Sequence, residues 1–414
     1  MNIKMTLDGE FAKALPLLEK IQNAGFEAYF VGGSVRDRIL GLDVNDVDIA
    51  TSAQPLEIKN IFKRTVDVGI EHGTIMVLVG DDSYEITTFR TESTYQDFRR
   101  PDSVTFVRSL KEDLKRRDFT MNAIALDSEG NIMDPFDGMA DIDKSIIRAV
   151  GEPHERFNED ALRMMRAVRF SAQLDFQIES ETLLSIRDNA PLLKKIAIER
   201  IQIEFEKLLI GKWHTIGLAA MIKTELYKYC PGLADKHEAI MSMIDDELPF
   251  ENARQAWAFL LYQIDQSKKT STFKPRSFLK GWKLSNQMIN DALTIFHALK
   301  KRLDTGKIDP WVAFEIGQDF AFDVEYLLEH LGLKAQYETL MSVYNGLQIT
   351  DKKDLKVTGH DLMTLTTEKP GKWMSVALDD ALKAVVYKEL NNDKNDIIEW
   401  IQEKKLIPGF NENS

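Results

Sequence analysis

Apolar and polar positions alternate in two different rhythms along this chain of 414 residues. Up to about residue 150, short apolar runs with a period of two are interspersed with helical stretches, which is typical of an α/β arrangement. After Gly151 the period lengthens to that of amphipathic helices, as in the apolar face formed by Ile201, Phe205, Leu208 and Leu209. The pattern predicts an α/β head followed by all-α domains, in an elongated multi-domain α+β protein.

The head is predicted to hold two helices, a hairpin and several further strands. In chain order, the predictions are a helix at 11–23, strands at 28–31 and 44–50, a hairpin of strands at 74–79 and 84–89, and shorter strands at 124–126, 132–133 and 146–150. The second helix is predicted to begin at a Ser34 cap and to run through Leu40, where Gly41 stops it.

Changes in the pattern divide the chain into four predicted domains. They are the α/β head at 1–150, a helical neck at 151–215, a helical body at 216–310 and a helical tail at 311–414. Proline is sparse, and neither a low-complexity linker nor a repeat of fixed period separates the helical regions. These regions are therefore expected to pack continuously.

Composition places the chain among globular proteins. Hydrophobic residues make up 44% and charged residues 29%, and no run approaches the roughly 18 apolar residues of a membrane span. The first residues carry no signal-peptide pattern. Because Cys230 is the single cysteine, an intramolecular disulfide framework and a cysteine zinc site are excluded, and a cytoplasmic location is expected.

Charge is distributed unevenly along the chain. The net charge of −13 by itself argues against a polyanionic partner. Between Lys268 and Lys307, however, ten basic residues are opposed only by Asp291 and Asp304, and four aromatic side chains lie among them. This basic region is a candidate RNA-binding surface, although a solvated helical face explains the charges equally well.

Two carboxylates in the predicted strand at 44–50 offer a metal site. Asp46 and Asp48 project from one face of that strand because side chains alternate, while Val47 and Ile49 enter the core. Carboxylates suit magnesium, and paired ions stabilise both the attacking and the leaving oxygen in phosphoryl transfer. Taken alone, an Asp-x-Asp run is more often a solvated strand edge or a turn.

The surroundings of the carboxylates favour the metal interpretation. Gly32 and Gly33 lie between a strand and a helix, where backbone N–H groups can approach phosphates. Arg36 lies in the first turn of that helix, and Glu85 on a later strand offers a third carboxylate. A plain strand-to-helix turn and an exposed strand glutamate are the simpler alternatives.

Five motifs in order resemble those of class II tRNA nucleotidyltransferases and bacterial poly(A) polymerases. They are Val-Gly-Gly-Ser-Val-Arg-Asp at 31–37 with Asp-Val-Asp-Ile-Ala-Thr at 46–51, Arg-Arg-Asp-Phe-Thr-Met-Asn-Ala at 116–123, Asp-Pro-Phe-Asp-Gly at 134–138, Glu-Asp-Ala-Leu-Arg-Met-Met-Arg at 159–166, and Glu-Arg-Ile-Gln-Ile-Glu at 199–204. Met121 stands where isoleucine is more usual. Weaker likenesses at 359–362 and 369–373 are to the C-terminal part of bacterial CCA-adding enzymes.

The resemblance implies a head with the nucleotidyltransferase fold shared with DNA polymerase β. It implies magnesium ions on Asp46 and Asp48, with Glu85 as a further catalytic candidate. The expected reaction is stepwise addition of C, C and A to the 3′ end of tRNA from CTP and ATP. The neck would then select the nucleotide, and the body and tail would bind tRNA. The full-length segment between 90 and 114 favours an enzyme that adds the final A, because CC-adding relatives are shortened there.

Base selection is expected at the fourth motif, where Asp160 and Arg163 occupy the positions that act as the family's amino-acid template. A carboxylate that accepts from an amino group, beside a guanidinium that donates to a ring nitrogen, complements both cytosine and adenine. Uracil and guanine reverse that order and would leave polar groups unpaired, at about 1–3 kcal/mol each. The simpler alternative is an ordinary ion pair in the first turn of a helix capped by Asn158.

The same helix carries two more arginines. Arg166 and Arg169 follow Arg163 at three-residue spacing, so they are expected to form a slanted stripe directed from the base toward the triphosphate or the acceptor stem. Surface charge without a ligand is the simpler alternative.

Four other motif residues complete the expected site. By the resemblance, Arg117 contacts the nucleotide and Asn122 contacts its ribose. Arg200 and Glu204 are expected to form an i,i+4 pair that supports the pocket.

Other functions remain compatible with these residues. The nearest is a poly(A) polymerase, or an enzyme that adds only CC or only A with the same head. A catalytically silent tRNA-binding or chaperone module belongs to a different class, and the Asp46/Asp48 and Asp160/Arg163 pairs argue against it. No membrane partner is expected, and a homodimer is one option for the oligomeric state.

Overall fold

An α/β head begins the chain, and helices make up most of the remainder. The computed structural model describes residues 4–92, 104–245, 248–267 and 273–408. Contacts between residues divide the chain into two units. The first comprises Met1–Glu251 with Ser277–Leu284, and the second comprises Asn252–Arg276 with Ser285–Ser414.

Strands are confined to the first unit among the described residues. They are β1 (Ala28–Val31), β2 (Asp48–Thr51), β3 (Thr65–Gly69), β4 (Thr74–Val79), β5 (Asp82–Thr88), β6 (Arg90–Glu92), β7 (Val104–Phe106), β8 (Ala125–Leu126), β9 (Ile132–Met133), β10 (Ile146–Ile147) and β11 (Gln177–Ile178). Seven of them form a mixed sheet in the order β3-β4-β5-β2-β1-β8-β9. In this sheet β2 runs parallel to β5, and the other neighbours are antiparallel. Two small pairs, β6 with β7 and β10 with β11, lie outside it.

The described helices before residue 251 fall in the first unit. They are α1 (Gly9–Asn23), α2 (Gly33–Ile39), α3 (Pro55–Ile61), α4 (Leu110–Lys115), α5 (Gly138–Asp143), α6 (Pro153–Glu159), α7 (Leu162–Leu174), α8 (Ser180–Asn189), α9 (Ile198–Leu209), α10 (His214–Lys223) and α11 (His237–Ile244).

The remaining helices belong mostly to the second unit. They are α12 (Ala253–Ser267), α13 (Pro275–Gly281), α14 (Asn286–Thr305), α15 (Pro310–Ile316), α16 (Gln318–Glu329), α17 (Tyr337–Asn345), α18 (Gly359–Met363), α19 (Lys372–Val386) and α20 (Lys394–Glu403). In the described part of the chain, no helix combines the length and the apolar character that crossing a membrane requires.

Side chains of β1 alternate between the two faces of the sheet and pack into a hydrophobic core on each face. Phe30 packs edge-to-face on Phe11 of α1, with ring centroids 5.0 Å apart. Tyr29 points the other way and stacks on Phe89 at 6.3 Å. Val31 shares that second face, which α4 covers, and its partner in β2 is Asp48. The register therefore places Asp48 at the rim of the α4 face, where β2 begins.

Local expectations for the first motif need two corrections. The strand predicted at 44–50 begins only at Asp48, so Asp46 lies in the segment that leads into it. Ser34 does not cap α2, because Gly32 holds the cap position and the Ser34 hydroxyl donates to the Val31 carbonyl at 3.2 Å. Gly41 follows the helix in the left-handed region, at φ 69°, as expected of a stop.

The fourth motif does not begin a helix as predicted. Asn158 lies inside α6 and its amide donates to the His154 carbonyl, so it is not a cap. Asp160 has extended backbone, with φ −135° and ψ 102°, and separates α6 from α7. Its carboxylate accepts from the Leu162 N–H at 3.0 Å, which satisfies one of the donors at the start of α7.

The basic region is less uniform than its sequence suggests. Lys268 and Lys269 lie outside the described residues, and Lys280 and Lys283 belong to the first unit while the other six basic residues belong to the second. Three of those six pair with acidic residues: Lys300 with Asp265 at 2.7 Å, Lys301 with Asp309 at 3.0 Å and Arg302 with Glu325 at 2.7 Å. Acidic partners outside the segment thus offset part of its charge.

Candidate active site

Asp46 and Asp48 lie at the entrance to β2, with their side chains exposed. Both line a cleft of about 610 Å³ that Glu85 also borders. In the parallel pairing of β2 with β5, Ile49 is the partner of Ile86. Since each of these residues follows an acidic one, the register places Glu85 beside Asp48 on the same face of the sheet.

Asp48 lies in surroundings that disfavour its charge. Desolvation by the surrounding walls of the cleft raises the pKa of this carboxyl, Arg117 opposes that rise, and the neighbouring charge of Asp46 adds to it. Two carboxylates that repel one another in this way are relieved by a bound cation. The electrostatics therefore favour a positively charged ligand at the cleft.

Gly32 allows two charged side chains to approach the backbone. Its φ of 82° and ψ of −143° lie in a region that favours glycine. A Cβ at this position would lie 3.0 Å from Nη1 of Arg117 and 3.6 Å from Oδ2 of Asp48. The first-motif turn, the first-motif carboxylate and the second-motif guanidinium thus meet at one point. Gly33 follows with similarly close contact to Arg36, whose Nη2 would be 3.6 Å from a Cβ there.

The donor set at the cleft fits a hard divalent cation in part. Asp46 and Asp48 supply carboxylate oxygens, which are the ligands that magnesium prefers. Among the described residues, no three His, Cys, Asp or Glu side chains converge on one metal position. Glu85 therefore borders the site without completing a protein cage. Magnesium commonly retains waters and binds substrate phosphates, so two protein carboxylates are sufficient.

A chain of hydrogen bonds joins the first, second and fourth motifs. Arg36 Nη1 donates to Asn122 Oδ1 at 2.7 Å, and Asn122 Nδ2 donates to Asp118 Oδ1 at 2.9 Å. The other Asp118 oxygen accepts from Arg166 Nε at 2.7 Å. Burial raises the pKa of Asp118, but Arg166 and Asn122 outweigh it and hold the pKa well below its usual range. Asp118 is consequently an ionised hub at the centre of the network.

Three arginines surround the ring of Phe170. The guanidinium carbons of Arg36, Arg166 and Arg169 lie 4.9, 5.3 and 3.9 Å from its centroid. Arg169 is also paired with Glu204 of α9, with 2.6 Å between Nε and Oε2. Cation–π contacts and ion pairs therefore gather three positive charges in one region, which suits a polyanionic ligand.

Asp160 and Arg163 each contact a different partner. Arg200 Nη2 lies 2.8 Å from Asp160 Oδ2, and Arg163 donates to Glu159 Oε2 and to the Arg116 carbonyl, both at 2.8 Å. Both side chains are largely buried. The simple Asp160–Arg163 ion pair considered from the sequence is thus replaced by two separate sets of contacts.

The fifth motif supports the fourth in a way that differs from the expectation. Arg200 and Glu204 were expected to pair with one another, whereas Arg200 contacts Asp160 and Glu204 contacts Arg169. The reason is geometric, because α9 packs against α7 and offers its polar side chains to that helix. Arg200 and Glu204 of α9 therefore each hold a side chain that is a candidate for binding the nucleotide.

Comparison with known proteins decides the family. Residues 28–148 match the model of the poly A polymerase head domain, residues 175–236 match "Probable RNA and SrmB- binding site of polymerase A", and residues 248–401 match tRNA nucleotidyltransferase domain 2. The CCA-adding enzyme of Enterococcus faecalis is 50% identical over 403 residues, which are 97% of this chain and 98% of the relative. That of Limosilactobacillus fermentum is 51% identical over 388 residues, 94% and 96% of the two chains. The chain belongs to the CCA-adding enzyme family.

A solved structure agrees with this assignment. The crystal structure of Bacillus stearothermophilus CCA-adding enzyme in complex with CTP matches with a TM-score of 0.89 and 40% identity, over 96% of this chain and 98% of that chain. The predicted fold class, a nucleotidyltransferase head followed by helical regions, is confirmed. As a member of the CCA-adding enzymes the chain is a nucleotidyltransferase, a class that uses divalent metal ions.

Sequence reasoning did not single out several side chains that shape the candidate site. Glu159 lies four residues before Arg163 and could have been found from helical spacing. Asp118 could not have been found in that way, because its partner Arg166 is 48 residues distant. Phe170 gave no signal, since an aromatic residue in an amphipathic helix ordinarily indicates only core packing.

Proposed function

We propose that this chain adds C, C and A stepwise to the 3′ end of tRNA, from CTP and ATP, with release of pyrophosphate. The observation that supports it best is the meeting of Asp48 and Arg117 at Gly32. At this turn, a carboxylate that can bind a metal ion lies close to a guanidinium that can bind phosphate. A chain of hydrogen bonds from Arg36 through Asn122 and Asp118 connects this turn to Arg166 of α7.

We assign Mg²⁺ to Asp46 and Asp48, with Glu85 at the edge of the same cleft. The bound ions would lower the charge of the triphosphate and favour the ionised form of the attacking 3′-hydroxyl. The chain itself supplies fixed positive charge, because Arg36 and Arg117 are held close to the glycine turn. Such preorganised charge stabilises the charge that develops as pyrophosphate leaves.

We assign base selection to Asp160 and Arg163. A carboxylate has about four lone-pair sites, and three of them serve the Leu162 N–H and two N–H groups of Arg200. Capacity therefore remains for the amino group of cytosine or adenine. Their partners fix both side chains in place, so accommodation of a base with reversed polarity would be costly and that base is rejected. Arg166 and Arg169 would continue the site toward the phosphates.

The helical regions are assigned to tRNA. In this proposal the head at 1–150 performs the chemistry, the neck at 151–215 holds the nucleotide, and the body at 216–310 and tail at 311–414 bind tRNA. Contacts with the RNA backbone would make binding strongly salt-dependent. Cys230 is buried, and burial raises the pKa of its thiol, so it is an unreactive residue that suits the reducing cytoplasm we propose as the location.

Incubation with a tRNA that lacks its last three nucleotides, together with CTP, ATP and Mg²⁺, tests the reaction. We expect a single product three nucleotides longer, resolved by gel electrophoresis and sequenced at its 3′ end. A ladder of A would indicate a poly(A) polymerase, and a product ending at CC, or one A added only to a CC end, would indicate a partial enzyme. No release of pyrophosphate would indicate a silent tRNA-binding module. The Asp46→Ala variant is the control for metal-dependent chemistry.

A reversal of polarity tests base selection separately. The double variant Asp160→Arg with Arg163→Asp should lose most incorporation of C and A, because its groups oppose the donor and acceptor order of those bases. Incorporation of all four nucleotides is measured under single-turnover conditions. Selectivity equal to that of the unchanged chain would remove these two residues from the proposal.

A further inference from the structure

Asp113 is a buried carboxylate beneath two arginines of the second motif. Its side chain is about 1% exposed, and Oδ1 accepts from Arg116 Nε at 2.9 Å while Oδ2 lies 3.5 Å from Arg117 Nη2. Arg116 and Arg117 follow the last residue of α4 and continue its turn, so they lie three and four positions after Asp113 on the same face. Burial raises the pKa of Asp113, yet Arg116 and Arg117 outweigh it and keep the pKa low.

Arg117 depends on that carboxylate more than its position beside Asp48 suggests. Burial lowers the pKa of Arg117, and Asp113 is the neighbour that raises it most, ahead of Asp48. A desolvated guanidinium needs a fixed partner, and without one it either turns toward water or remains at a large energetic cost. Asp48 is a poor candidate for the fixed partner, because its exposed carboxylate is the one suited to a metal.

Asp113 also holds the second arginine, Arg116, and this contact is distinct from the one that Arg163 makes with Arg116. Asp113 binds the Arg116 side chain, and the Arg116 carbonyl accepts from Arg163 Nη2 at 2.8 Å. Asp113 also accepts from the Arg90 backbone N–H at 3.3 Å, which joins the start of β6 to α4. Asp113 thus braces the C-terminal end of α4, from which Arg117 projects.

We propose that Asp113 is a positioning residue, which holds the Arg117 guanidinium at Gly32 so that it meets the nucleotide phosphates without reorganisation. The inference rests on the proposed function, in which Arg117 contacts the nucleotide. Asp113 does not touch the substrate, so all of its effect on nucleotide binding passes through the arginine. Removal of Arg117 should therefore abolish that effect.

The test is a double-mutant cycle of Asp113→Asn and Arg117→Ala, read by CTP binding to the full chain in EDTA and by steady-state kinetics with Mg²⁺. Asp113→Asn removes the charge at constant size. We expect it to weaken CTP binding and to raise the KM for CTP roughly tenfold, in line with the loss of a charge-assisted hydrogen bond, while the KM for tRNA is unchanged. In the Arg117→Ala background the same substitution should have no further effect on CTP binding, because coupled residues are not additive.

Asp141→Asn is the matched control. Asp141 is another buried carboxylate of the head, about 5% exposed, and is bound to Arg148 and Thr120. It should lower thermal stability comparably and leave CTP binding unchanged. If Asp113→Asn does not fold, Asp113→Glu keeps the charge and displaces it by one methylene. This variant should also weaken CTP binding only where Arg117 is present.

Two results would overturn the inference. The first is that either Asp113 variant binds CTP as tightly as the unchanged chain. The second is that the loss of CTP affinity in the double variant equals the product of the losses in the two single variants. The proposed function is judged separately by the Arg117→Ala variant. If that variant adds CCA as efficiently as the unchanged chain, the assignment of Arg117 itself fails. If it is impaired while the cycle is multiplicative, only the role of Asp113 fails.

Discussion

The two ends of the candidate nucleotide site are built in opposite ways. At the metal end, Asp46 and Asp48 are exposed, and desolvation together with the charge of Asp46 raises the pKa of Asp48 in spite of Arg117. At the base end, Asp160 and Arg163 are largely buried and already have partners of opposite charge. The metal end is thus a place of unrelieved charge that a cation relieves, whereas the base end is preorganised and must discriminate. Substitutions should therefore affect activity most at the first end and selectivity most at the second.

Asp48→Ala should cause the largest effect of all. The loss of a metal ligand removes several kcal/mol of transition-state stabilisation, so we expect incorporation of CTP to fall by roughly a thousandfold or more. The rate is measured in a single turnover with tRNA lacking CCA. Asp81→Ala, a change of another acidic residue that borders the cleft, should remain close to the unchanged rate. Retention of a tenth of the activity by Asp48→Ala would contradict the metal assignment.

Asp118→Asn should impair both ends at once, because Asp118 lies between them. It removes the charge that faces Arg166 in a buried pair, which typically costs about 3 kcal/mol, toward the lower end of the range because Arg166 is partly exposed. We expect a loss of that size in the stability of the first unit in urea, and roughly a hundredfold loss in kcat/KM for CTP, since Arg166 loses its orientation.

The pH dependence of the Asp118 effect has a definite sign. The pKa of Asp118 is lowered on folding, so its stabilising contribution is complete above the unfolded-state pKa of about 3.9 and disappears only as pH falls through the folded-state value. The stability difference between Asp118→Asn and the unchanged chain should thus be constant from neutral pH down to about pH 5 and shrink in stronger acid. A difference already lost at pH 6 would show that Asp118 is not an ionised buried hub.

The contrast between the ends also explains how far the sequence could predict them. Motif spacing singled out Asp46, Asp48, Asp160 and Arg163 as candidates, because local patterns carry that information. Strand alternation was wrong for Asp46, which precedes β2. Partner choice was less predictable, since Asp160, which lies between α6 and α7, pairs with Arg200 of α9, 40 residues away in sequence. The α6–α7 break at Asp160 was also missed, because helix-forming residues on both sides conceal an extended residue between them. Tertiary packing decides such details, and spacing along one helix does not record it.

Arg200→Ala tests whether the base end is preorganised. It removes the guanidinium that holds Asp160 at 2.8 Å, so Asp160 should adopt several orientations. We expect the KM for both CTP and ATP to rise roughly tenfold, with kcat and the KM for tRNA nearly unchanged. Arg187→Ala is a suitable control, because Arg187 is an exposed arginine of α8 beside Asp188. An equal effect of both variants would mean that Arg200 contributes only general charge.

Asp48→Asn should cause the smallest effect, and one of opposite direction, in the absence of metal. Because folding raises the pKa of Asp48, its ionised form destabilises the folded protein, and the penalty is present at neutral pH and disappears as pH falls below the unfolded-state value of about 3.9. The neutral amide should therefore raise the melting temperature in EDTA at pH 7, by roughly 1 °C because the side chain is exposed. The difference should vanish near pH 3.5. Addition of Mg²⁺ should stabilise the unchanged chain and not the variant, since only the former binds the ion well. Lower stability of Asp48→Asn in EDTA would show that the metal end is not a place of unrelieved charge.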